Sequence, residues 1–176
     1  MGKSNGDILK FAIEEQLERK YDDMEVELKK YCDTLCETAI DFRLSAPNAH
    51  NFTGNLLNSI VVALYRRGRL VQATFSAGLV QEAIAPQMTI GKFYHWRPDY
   101  EGEERTYRPE IKTNEGYGKF DARSFVAYYK PNKDAIFEIV CAYTTEYAQW
   151  VEMQSATTGY LNMVQFIEIN TPKVIQ

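Results

Sequence analysis

The strongest constraint on this chain is the apolar stripe carried by its first forty-odd residues. Leu17, Tyr21, Met24, Leu28, Tyr31, Leu35, Ala39 and Phe42 recur at steps of three and four, flanked by Glu, Asp and Lys. This spacing predicts one helix over residues 7–44. Asn5 or Asp7 is suited to cap its start. Ser45-Ala46-Pro47 ends it, because the residue before a proline is pushed out of the α region. At ~1.5 Å per residue such a helix exceeds about 50 Å, more than a small domain covers along its whole course. Two arrangements remain: part of the stripe packs on another subunit, or the helix kinks and folds onto its own sheet. The carboxylates between the apolar positions alternate with Lys and Arg at i,i+4 spacing, the pattern of a solvated face.

Beyond the helix, residues 48–58 form a polar connector with Gly54 as its pivot. Residues 59–66 and 69–75 read as strands joined by a tight turn at Arg67-Gly68, where glycine supplies positive φ. Ile60, Val62 and Leu64 share one face of the first strand, and Val61, Ala63 and Tyr65 the other. Both faces are apolar, so this strand needs a helix on one side and a second cover on the other. A short helix is expected within 78–87. Residues 89–123 have no clear period, mix Tyr, Gly, Pro and charge, and read as an extended loop or hairpin arm. Its aromatics Tyr94, Trp96, Tyr100, Tyr107 and Tyr117 are the candidates for contact with a neighbour, since interfaces are enriched in Tyr and Trp. Residues 124–130 and 135–142 read as a second hairpin around a turn at Pro131-Asn132-Lys133-Asp134. Residues 144–153 look like a helical turn with Tyr147, Trp150 and Val151 inward, and 160–169 reads as helix or strand until Pro172 stops it. The expected fold is α+β: one domain over 1–176, a long N-terminal helix packed on a small, mostly antiparallel sheet, and an inserted arm over 78–134.

The chemistry-bearing residues are sparse. A net charge of −4 gives no support for nucleic acid as the main partner. No apolar run approaches the roughly 18–20 residues of a membrane span, and the N-terminus lacks the apolar core of a signal peptide. Cys32, Cys36 and Cys141 are too few for a disulfide framework, and with the distant His50 and His95 they show no metal-ligand spacing. Buried, reduced thiols are the simpler reading and imply an intracellular origin. Phosphate-binding glycine loops and zinc-protease or nucleophile motifs do not occur in the sequence, so no catalytic residue, cofactor or metal is assigned. Arg66-Arg67-Gly68-Arg69 is the one concentrated basic patch. It reads either as a hairpin tip touching nucleic acid or an acidic partner, or as a solvated turn whose charges discourage edge-to-edge aggregation.

Two short tracts about ninety residues apart remain, Thr53-Gly54-Asn55-Leu56-Leu57-Asn58-Ser59-Ile60 and Tyr147-Ala148-Gln149-Trp150-Val151-Glu152. In this order, after a long helix and around a hairpin and a late strand, they resemble the tail-completion, or head–tail joining, proteins of tailed bacteriophages. In that family a T-G-x-L-x-x-S-[IV] tract leads into the first strand and a Y-A-x-[YW]-[VL]-E tract closes a later one. The matching residues are Thr53, Gly54, Leu56 and Ser59 in the first tract, and Tyr147, Ala148, Trp150 and Glu152 in the second. Met153-Gln154 stands where the family continues with Gly-Thr. The resemblance covers about residues 7–75 and 135–167. It implies a virion structural protein without catalysis, assembled in the host cytoplasm. As a homo-oligomeric ring, often sixfold, it would join the connector to the tail tube. A tail terminator, a minor head component or a nucleic-acid-contacting module are the alternatives.

Overall fold

Every backbone group of a buried strand must find a partner, and the chain answers this with an antiparallel sheet built around its first strand. The computed structural model describes residues 5–45, 55–79, 94–96, 105–107, 117–145, 148–149 and 163–170. Its elements are α1 (Asn5–Ser45), α2 (Asn55–Asn58), β1 (Ile60–Arg66), β2 (Arg69–Phe75), α3 (Ser76–Leu79), β3 (Tyr94–Trp96), β4 (Arg105–Tyr107), α4 (Tyr117–Tyr128), β5 (Phe137–Tyr143) and α5 (Met163–Asn170). The fold is α+β. The chain divides into two units, Met1–Tyr31 and Cys32–Gln176. Among the described residues no helix is long and apolar enough to cross a membrane.

The first unit is the leading part of α1. Ion pairs at i,i+4 and i,i+3 line it: Lys10–Glu14, Arg19–Glu15 and Lys30–Glu27 are exposed, and Lys29–Glu25 is half-buried. Each contributes only a few tenths of a kcal/mol in such a setting. The apolar stripe splits along its length. Leu28, Cys32, Leu35, Cys36, Ala39 and Phe42 are buried, whereas Leu17 and Met24 keep 44% and 38% of their surface.

In the second unit the sheet order is β2-β1-β5, antiparallel throughout. Thr74, Val62 and Cys141 stand in one row across it. Thr74 Oγ1 donates to Asp33 Oδ1 at 2.6 Å, and Gln72 Nε2 donates to the same oxygen at 2.8 Å. The Cys36 thiol reaches the Thr74 carbonyl at 3.9 Å. This face of the sheet is therefore covered by residues 32–43 of α1. On the opposite face Tyr65 packs its ring 5.3 Å from that of Tyr129, just past α4.

The second cover is thus α4. That is a correction: residues 117–123 were expected in the irregular arm and 124–130 as a hairpin strand, but 117–128 is helix, and β5 pairs with β1. Phe125, Val126, Tyr128 and Tyr129 have β-type composition, which hides the helical spacing of Gly118, Ala122, Phe125 and Tyr129. The helix approaches so closely at Gly118 that a Cβ there would collide with the Asn55 carbonyl oxygen and lie 2.9 Å from backbone atoms of Asn58 and Ser59.

Other expectations hold. Arg67 and Gly68 both have positive φ, 48° and 74°, as a two-residue hairpin turn requires. The Asn132 side chain accepts from the Asp134 amide at 2.9 Å, closing the turn before β5. Of the stretch 160–169, residues 163–169 are helix in α5. Of the short helix expected within 78–87, residues 78–79 end α3 and the rest lies outside the described residues. Within the expected arm, β3 and β4 pair antiparallel, Tyr94 opposite Tyr107 and Trp96 opposite Arg105.

Burial pushes the Cys32 thiol up to about 11, with Asp33 adding to it. Burial also raises Cys36 and Cys141, each to about 12 from the ordinary 9.0, helped by the neighbouring thiols. Because the folded state holds these protons more tightly, their contribution to stability is complete below pH 9 and is lost as pH rises toward 11–12. The melting temperature should be level from pH 7 to about 8.5 and fall above it. Cys36→Ala should fall less steeply, as read by thermal melts across that range. Gly118→Ala should cost about 1–3 kcal/mol, the usual range for overpacking, measured by denaturant unfolding.

Candidate functional site

The two tracts that stand ninety residues apart in the sequence meet at one corner of the sheet. There α2 makes a single turn, after which Ser59 donates both its backbone N–H and its hydroxyl to the Leu56 carbonyl, at 3.2 and 2.8 Å. The chain returns to this corner as β5 ends. Thr144 donates its amide to Ser59 Oγ at 3.4 Å and its hydroxyl to the Ser59 carbonyl at 3.0 Å. Ser59 is fully buried and uses its hydroxyl as both donor and acceptor. Beside it Leu56, 2% exposed, packs with Ala148, 6% exposed, and with Tyr143. Ala148 is held in place by its amide donating to the Thr145 carbonyl at 3.0 Å. Ser76, opening α3, ties the same corner from a third side, its hydroxyl reaching the carbonyls of Leu57 and Ile60.

Of the motif residues, Leu56, Ser59 and Ala148 are brought together. Thr53, Gly54, Tyr147, Trp150 and Glu152 lie outside the described residues, as does Tyr100. Tyr94, Trp96 and Tyr107 fall in the β3–β4 pair, and Tyr117 opens α4. Tyr143, Thr144 and Ser76 were not singled out from the sequence. Thr144 had a readable signal: a hydroxyl at the end of a strand antiparallel to β1 falls beside the residue that opens β1. Arg43, in the last turn of α1, is only 2% exposed, although the charged positions of that helix read as solvated. Its place at a helix C-terminus suits a cation.

The far end of the sheet is chemically different. The Arg67 amide donates to the Ile136 carbonyl at 3.0 Å, and Gly68 lies against the Lys133 side chain, so the β1–β2 turn and the 131–134 turn sit side by side. Arg66 lies 5.7 Å over the Phe137 ring. Glu138 secures the approach to β5: one carboxylate oxygen accepts from Tyr129 Oη at 2.8 Å, the other from the Asn132 amide at 2.7 Å. The hydrogen bond to Glu138 raises the Tyr129 pKa, whereas burial does most to raise that of Tyr65. Arg67, Arg69, Lys130 and Lys133 are exposed around this tip. The sequence displays the three arginines as a run but not the lysines, which join them only through strand pairing.

Chemically, neither cluster presents an activated nucleophile among the described residues. Neither contains a cysteine, and the Cys32 and Cys36 thiols of α1 are buried and pushed up by that burial. No set of three described His, Cys, Asp or Glu side chains is placed to hold a metal ion. What the first cluster does is lock two distant segments together. Compared with known proteins, the chain matches no family model, no curated protein and no solved structure.

Ser59→Ala removes the acceptor of a buried amide and a donor at once. It should cost about 1–3 kcal/mol in denaturant unfolding, more than an exposed serine of the same chain.

Proposed function

We propose that this chain is a non-enzymatic structural protein of a tailed-phage virion, part of an oligomeric ring that joins the head-side connector to the tail tube. The observation that carries the reading is the corner where Leu56 and Ser59 of the first tract meet Ala148 and Thr144 around the second. Two tracts that resemble a family's paired motifs belong in one place if the family's fold is shared. Further support comes from the exposed apolar residues of the first thirty, beginning with Ile8, Leu9 and Phe11, which a chain acting alone leaves in water. A tail terminator or minor head component would use the same surfaces. The exposed basic tip favours a second reading, a nucleic-acid contact.

Native mass spectrometry of the purified protein at tens of micromolar tests the first reading. A discrete closed oligomer is expected; a strict monomer overturns it. Duplex DNA binding that falls steeply with added salt would favour the second.

A further inference from the structure

We infer that the basic end of the sheet is the docking surface for the N-terminal part of α1 from a second copy of this chain. The inference rests on the ring reading and names the contact that would build it.

The tip carries charge and apolar surface together. Arg67, Arg69, Lys130 and Lys133 are exposed there, with Leu70 at 50%, Tyr128 at 83% and Ile136 at 39% of their free surface. Within residues 66–70 and 128–138 five cations stand against two acids, Asp134 and Glu138. Of the two, Glu138 has both carboxylate oxygens engaged, by Tyr129 and by the Asn132 amide. Arginine and tyrosine beside exposed aliphatic side chains make up the usual core of a protein interface.

Residues 6–27 of α1 have the complementary make-up. Eight acidic side chains stand there against three basic ones, in a chain whose net charge is only −4. The same stretch exposes Phe11 at 62%, with Leu9, Ile13 and Leu17 also left open. Glu14 and Glu15 pair with Lys10 and Arg19, and Glu25 and Glu27 with Lys29 and Lys30, so over residues 6–30 the balance is eight acids to five bases. The helix therefore carries excess acid beside exposed apolar side chains, and the tip excess base beside its own. Because the two surfaces are different, the contact is head-to-tail, and a head-to-tail contact closes into a ring when its rotation allows. A nucleic acid would also answer the tip's charge, but it would leave the helix surface without a role, so the second copy accounts for more of the molecule.

Charge reversal tests this with the full chain. R67E/R69E/K133E alters only exposed side chains, and D22K/D23K/E27K reverses the helix; circular dichroism checks that both remain folded. Sedimentation velocity at low salt should show each variant alone weakened at least tenfold in self-association, because like charges then meet at every contact. Mixing the two variants should restore association, since each tip then meets a complementary helix, and the restored assemblies should contain even numbers of chains. Wild-type protein that associates, with R67E/R69E/K133E associating equally well, overturns the docking surface and leaves the ring reading standing. Wild-type protein that stays monomeric overturns both. Salt-dependent binding of duplex DNA that the tip variant abolishes, with self-association untouched, assigns the tip to nucleic acid and overturns the inference.

Discussion

The rest of the structure depends on a single strand that keeps none of its apolar surface. Ile60 through Leu64 of β1 are fully buried, and Tyr65 is nearly so. A strand buried on both faces stabilises a fold only if two separate layers cover it, and here the layers come from opposite ends of the sequence order. Residues 32–43 of α1 cover the face of Val62 and Leu64. Helix α4 and Tyr129 cover the face of Val61, Ala63 and Tyr65. Removing either layer would expose several side chains, each worth about 1.5–3 kcal/mol of burial. The neighbouring strands, β5 half-buried along its length and β2 half-buried from Val71 to Phe75, are held by pairing to that centre.

The helix, the first hairpin and its turn were legible because their signals are local. A stripe at steps of three and four, alternation at period two, and an Arg-Gly pair between strands each specify backbone geometry within a dozen residues. The second cover was not legible in the same way. The sequence says that β1 needs one, but the end of α4 carries Phe125, Val126 and Tyr128, whose own preference is for strands, and tertiary packing overrides it. Gly118 shows why: its value lies in letting a helix approach the backbone of Asn55 and Ser59, a contact across some sixty residues of chain. The site was half legible. Leu56, Ser59 and Ala148 could be named from the two tracts. Thr144 and Ser76, which tie the tracts to the sheet, become visible only once strand order is known. The basic tip was visible as three arginines, but its lysines arrive from the turn before β5.

One consequence of the corner around Ser59 reaches beyond stability. Ser76 is tied to the carbonyls of Leu57 and Ile60, and Gly118 is seated against Asn55 and Ser59. The two share one anchorage. Lengthening a loop whose ends are already together costs only about 0.6 kcal/mol per doubling. A change in the number of residues between these two points therefore adds little closure entropy to the cost of folding the sheet. Insertions and deletions there leave the shared anchorage, and with it the buried strand and its two covers, where they are.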